Sequence, residues 1–276
     1  MYNLFFILLI LGIVQGIAEF LPISSSGHLV ILENITWFHA SLDGLGKNAN
    51  LFINVSLHVA TLLAVLLYLS RDIWQIIRGV FQGIKEKNYR CAEILIARNI
   101  IIASIPAGVI GLLLNDFFTA IFASAASAFI FLIINGFILI STKKIPIKGR
   151  KIEETGIIRS LVIGFFQAFA IMPGISRSGM TIAGGIFNGL DPTESAKFSF
   201  FMAIPVIGGA GIMEGMKAGT LPGELFAPLA ASMVVTVLVA LVSLKILFAL
   251  VKRIKIDIFG YYTIIVGIAG LIIINL

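Results

Sequence analysis

The sequence predicts an all-α polytopic membrane protein with six transmembrane helices and two re-entrant helix–loop–helix hairpins, arranged as an inverted-topology repeat. Three observations lead there. Hydrophobic residues make up 59% of the 276 positions and charged residues only 12%, and the mean hydropathy is +1.06, a balance that suits a bilayer and not solution. Six stretches reach the roughly 20 apolar residues that a full crossing requires. Two further stretches are broken at their centres by polar, Pro- and Gly-containing sequence, and these two repeat each other.

Taken in order, residues 1–38 form the first broken stretch, two short apolar pieces around ISSSGH. Non-helical backbone at membrane depth is tolerated only inside protein or against a wet cavity, so the stretch is read as a hairpin; two ordinary crossings are the alternative. Its start lacks a basic region and a small-residue cleavage site, so it is expected to be retained instead of removed as a signal peptide. Crossings follow at 51–70, 91–114 and 118–141, and the polar linker KKIPIKGRKIEE is read as a solvated loop. Residues 157–190 are the second broken stretch, around PGISRSG, and crossings at 195–216, 225–251 and 258–276 complete the chain. Residues 1–276 thus make one membrane domain, with repeats at 1–141 and 157–276. Pro106 and Pro205 lie in similar settings, SIPAGVIG and AIPVIGGAG, where each removes a backbone hydrogen bond and kinks its helix.

Basic residues orient this plan, because cytoplasmic loops collect them. Arg71, Arg78, Lys85, Lys87 and Arg90 follow the first crossing, Lys143, Lys144, Lys148, Arg150 and Lys151 the third, and Lys252, Arg253 and Lys255 the fifth. With those loops inside, both termini lie outside, and the two hairpins dip in from opposite faces. Three crossings after each hairpin is an odd number, so the halves are inverted and share a site near the midplane. The net charge of +6 sits in short clusters between apolar runs, which fits a membrane face and argues against nucleic acid. Cys91 is the single cysteine, which excludes an internal disulfide and a thiolate metal site.

The two broken stretches carry the chemistry. Gly12, Gln15, Ser24, Ser26 and Gly27 recur at a constant offset as Gly164, Gln167, Ser176, Ser178 and Gly179. The charges are complementary: Glu19 and His28 face Ile171 and Met180 in the alignment, and Arg177 faces Ser25. An arginine at the centre of a membrane helix costs about 2.5–3.5 kcal/mol on insertion scales, so Arg177 and Glu19 require a function. If the tips meet, Arg177 with Ser24, Ser25, Ser26, Ser176, Ser178 and Thr181 forms a donor set suited to a phosphate, aided by helix N-termini. Glu19 can hold Mg²⁺ or Ca²⁺, with Gln15 one turn away as a neutral oxygen ligand. His28 beside the serines can act as base to a nucleophile or as acid to a leaving group, and both remain open. A plain turn satisfying its own backbone is the ordinary account of any one serine. His58, mid-crossing in NVSLHVATLL, is read as bonded to a neighbouring helix and set behind the site.

The combination QxxxE then PxSSSGH, and later PGxSRSGxT, resembles the undecaprenyl-diphosphate phosphatase family, also called bacitracin resistance proteins, over nearly the whole chain. The resemblance implies a multi-pass enzyme of the bacterial inner membrane that hydrolyses a C55 isoprenyl diphosphate to the monophosphate. It further implies recycling of the lipid carrier for peptidoglycan, dependence on a divalent cation, and bacitracin resistance on overproduction. The acidic motif falls on Gln15 and Glu19, the serine and histidine motif on Ser25 and His28, and the second motif on Ser176, Arg177, Ser178 and Thr181. Many members carry Glu where this chain has Gln15, which leaves Glu19 as the main acidic ligand. Expected partners are the polyprenyl diphosphate and membrane lipids; a homodimer is left open, and a lipid-phosphate flippase on the same plan is the rival reading.

Overall fold

A computed structural model describes residues 4–33, 46–113, 125–215, 222–253 and 255–274. These form eleven α-helices and three short 3-10 turns. The first broken stretch gives α1 (Leu4–Ala18) and α2 (Ser25–Glu33). Next come α3 (Lys47–Tyr68), α4 (Ser70–Lys85), α5 (Ala92–Leu113) and α6 (Ala125–Ser141). The second broken stretch gives α7 (Gly156–Phe169) and α8 (Arg177–Phe187), followed by α9 (Pro192–Gly215), α10 (Phe226–Val251) and α11 (Asp257–Ile274).

Six helices, α3, α5, α6, α9, α10 and α11, are long and apolar enough to cross a membrane, and the protein is a multi-pass membrane protein. They coincide with the six expected crossings. The first seven residues of the third expected crossing, 118–124, and residues 34–38 of the first hairpin lie outside the described residues. Pro106 and Pro205 stand inside α5 and α9, and the helices run through both.

Two segments differ from expectation. The basic loop after the first crossing is mostly the helix α4, because its charges alternate with Trp74, Ile77, Phe81 and Ile84 at helical spacing and give it a strongly apolar side. The linker 143–154 is exposed over most of its length, as expected of a solvated loop, and differs in being anchored near its end: Asn99 Nδ2 donates to the Ile152 carbonyl at 2.8 Å, Ile152 is buried, and Arg150 pairs through its backbone with the segment around Leu190.

Helix packing crosses between the halves and does so reciprocally. α1 lies on α10 and α7 on α5, while α3 packs with α9 and α6 with α11. Without a hydrophobic drive in lipid, such contacts depend on small residues that let backbones approach. A Cβ added at Gly12 would sit 2.6 Å from Ser232 Oγ, and one at Gly164 would sit 2.5 Å from the Ala103 carbonyl oxygen. Ser232 Oγ also donates to the Leu8 carbonyl. Phe20 and Phe200, both fully buried in the larger core cluster, pack edge to face with centroids 5.4 Å apart.

Candidate active site

The same local device builds both tips. Pro22 and Pro173 each lie just past a short helix, and a serine then caps the helix that follows. The Gly27 amide donates to Ser24 Oγ at 3.2 Å, and the Gly179 amide to Ser176 Oγ at 3.1 Å. Each capping serine also bonds the next serine but one, Ser26 or Ser178, at 3.1 Å. An orphan amide of the first helical turn is satisfied in each case. Ser24 reaches this position with φ 70°, a left-handed conformation uncommon outside glycine and found often at functional turns.

The tips touch. The Gly174 amide donates to Ser26 Oγ across them at 3.2 Å. Asn135 on α6 bridges both, its Nδ2 donating to the Pro22 carbonyl at 3.2 Å and its Oδ1 accepting from the Ser176 amide at 3.0 Å. At the junction Arg177 Nη2 lies 3.0 Å from Glu19 Oε1, with both groups largely withdrawn from solvent. Glu19 Oε2 accepts from Gln15 Nε2 at 3.0 Å and from Ser25 Oγ at 3.1 Å. His58 Nε2 stands 3.6 Å from the same oxygen. Arg177 Nη1 donates to the Ser199 carbonyl at 3.4 Å, which fixes the guanidinium from behind.

A cavity of about 350 Å³ opens on this cluster, lined by Glu19, Ser25, Ser26, His58 and Arg177 together with apolar side chains of α3 and α9. A second, about 590 Å³, is bounded by α5, α9 and the second tip, and shares Arg177, Ile171 and Val206 with the first. Thus Glu19, Ser25, Ser26 and Arg177 come together as expected. Ser24, Ser176, Ser178 and Thr181 do not line either cavity; they are buried and occupied with capping or with Ser199. His28 turns away, its Nδ1 2.8 Å from the Ser24 carbonyl and its Nε2 2.8 Å from the Tyr262 hydroxyl, with the two rings stacked 5.7 Å apart. His58 takes the cavity position instead.

The donor set suits a hard divalent cation that arrives with an anionic ligand. The cavity offers one carboxylate and the hydroxyl of Ser25, while Gln15 lies buried behind Glu19, outside both cavities, turning its Nε2 to the acid and leaving its Oε1 with no hydrogen-bond partner. Among the described residues no group of three or more acidic, His or Cys side chains could hold a metal ion.

Fold and site together define a multi-pass membrane protein with a carboxylate and a guanidinium paired at the meeting of two helix-breaking tips. The chain belongs to the bacitracin resistance protein BacA family, whose model matches residues 8–269. It is 37% identical over 257 residues to an undecaprenyl-diphosphatase of Methanococcus maripaludis, covering 93% of this chain and 95% of that protein. It is 34% identical over 275 residues to one of Methanosphaera stadtmanae, covering 96% of each. A third, from Alkaliphilus metalliredigens, is 35% identical over 272 residues and 94% of each chain.

Proposed function

We propose that the chain hydrolyses undecaprenyl diphosphate to undecaprenyl phosphate and inorganic phosphate. The observation that carries this reading is the Glu19–Arg177 pair at a hydroxyl-bearing cavity, in a chain whose relatives are undecaprenyl-diphosphatases over nearly their full length. Arg177 holds the terminal phosphate through its forked donors and stabilises charge on the transferred group. Ser25, held by Glu19 Oε2, attacks the terminal phosphorus or orients the water that does. The bond from that phosphorus to the bridging oxygen breaks, the lipid monophosphate leaves, and water supplies the hydroxyl of inorganic phosphate. A divalent cation, when bound by Glu19 and Gln15 Oε1, supplies further charge neutralisation on the phosphate oxygens. His58, facing the acid across the cavity, carries the proton. His28, one turn beyond Ser25 and clamped by Tyr262, positions the start of α2, while Ser24 and Ser176 hold the two turns in shape.

The proposed architecture is an inverted repeat with two re-entrant hairpins. Three features support it. α1 and α7, of 15 and 14 residues, span only about 21–23 Å, short of the roughly 30 Å hydrocarbon core. The packing of each half on the other is reciprocal, and both tips use the same serine cap. With the basic segments inside, the termini and the mouth of the site face outward at the plasma membrane.

Phosphate release from undecaprenyl diphosphate by the purified chain, in the presence and absence of Mg²⁺ or Ca²⁺, tests the reading. Turnover lost in Arg177→Ala is the expected result. Movement of the lipid between leaflets without phosphate release would overturn it in favour of transport.

A further inference from the structure

We infer that α4 is an interfacial anchor: its exposed face lies in the bilayer boundary and its basic edge selects anionic phospholipid headgroups. The helix is amphipathic in a particular way. Trp74, Ile77, Phe81 and Ile84 form an exposed apolar stripe, with Phe81 72% accessible. Arg71, Arg78 and Lys85, spaced by seven, run along one side of that stripe and are exposed as well. None of the three has an ion-pair partner among the described residues. The opposite side of α4 is already committed to the protein. A Cβ at Gly79 would collide with Glu93, and one at Gly83 would meet Cys91 Sγ at 2.7 Å, while Asp72 binds Lys197 Nζ at 2.6 Å. Those partners are at the beginning of α5 and in the first two turns of α9, and α4 itself starts where α3 stops. The helix therefore crosses the ends of three membrane-crossing helices, at the level where a bilayer passes from hydrocarbon to headgroup.

This placement identifies the occupant. A stripe of Trp, Phe and Ile beside a row of cations, on a helix about 24 Å long, is the pattern of a segment lying in the membrane plane. Trp is favoured at that depth and Arg and Lys reach outward to headgroups. Three like charges along that edge, with Glu86 at the helix end as the exposed acid beside them, leave a net positive row complementary to anionic lipid, and zwitterionic headgroups offer no net charge to match it. The inference is independent of the catalytic reading, since none of these residues borders either cavity.

The chain has two tryptophans, so Trp37→Phe leaves Trp74 as the only indole. Reconstituted into nanodiscs of phosphatidylglycerol and phosphatidylcholine, this variant is read by quenching from bromines placed on one lipid at a time. Bromines near the headgroup should quench Trp74 more than bromines near the bilayer centre. Brominated phosphatidylglycerol should quench on the order of twofold more than brominated phosphatidylcholine at equal content. Replacing Arg71, Arg78 and Lys85 together by Gln should remove the lipid preference and keep the depth profile. If Trp37→Phe does not fold, the difference between the unaltered chain and Trp74→Phe isolates the same signal. An unquenched Trp74, as expected of a face covered by another protein or by water, or equal quenching by the two lipids, overturns the proposal.

Discussion

At the scale of single residues, the Glu19–Arg177 contact bears on stability and carries the proposed chemistry. Removing one partner of a buried ion pair strands the other charge and costs about 3–5 kcal/mol. Arg177→Ala should therefore lower thermal stability and reduce kcat on the order of 10³-fold, whereas Glu19→Gln combined with Arg177→Gln should be more stable than either single variant. A double-mutant cycle by thermal unfolding in detergent checks this, and additive losses would contradict the pairing. His58→Gln should cut kcat by about 10²-fold or more, and His28→Gln by clearly less, measured as phosphate release. The reverse order would return the proton to His28. Glu19, Ser25 and Arg177 were legible in the sequence because charge and hydroxyls in an oily segment are conspicuous. His58 was legible only as a residue behind the site and Asn135 not at all, since their partners lie in the tips, far along the chain: Asn135 bonds Pro22 across 113 positions, and a lone amide in an apolar crossing is the only local sign. Ser24 and Ser176 cap helices and line neither cavity, a placement that sequence could not distinguish, as the hydroxyl that caps a helix and the hydroxyl that binds a phosphate have the same spelling.

At the scale of elements, the close approach of short to long helices rests on glycine. A methyl at Gly164 would press on backbone, 2.5 Å from the Ala103 carbonyl oxygen, so the neighbour cannot swing aside. Gly164→Ala is expected to cost about 1–3 kcal/mol. Gly108→Ala on α5, where an added Cβ meets nothing within 4 Å, should be neutral or stabilising by up to about 1 kcal/mol through helix propensity. Thermal unfolding of the two variants side by side is the measurement, and equal effects would show that packing at Gly164 is not limiting. The six long apolar helices were legible because length and hydrophobicity alone identify them. α4 was hidden for the opposite reason: at 16 residues with three basic positions, it fails the test for a crossing while its charges imitate a loop.

At the scale of the whole molecule, the repeat could be read from a constant offset between Gln15 and Gln167 and between Ser24 and Ser176, but the swapped packing could not, because nothing in one half names its neighbour in the other. The proposed inverted arrangement makes a topological prediction. In a Cys91→Ser background, Lys87→Cys should react with an impermeant thiol reagent only from the cytoplasmic side and Glu224→Cys only from outside. Both exposed positions labelling from the same side would contradict the inverted arrangement.

The contact between Glu19 and Arg177 has one further consequence. A guanidinium that already holds a carboxylate at 3.0 Å is a seat with a tenant, and any newcomer must evict it. A diphosphate, with more negative oxygens, competes for that seat better than a monophosphate does. On the proposed mechanism the terminal phosphate that Arg177 held departs as inorganic phosphate, the carboxylate returns to the vacated guanidinium, and the resting pair is restored for the next lipid.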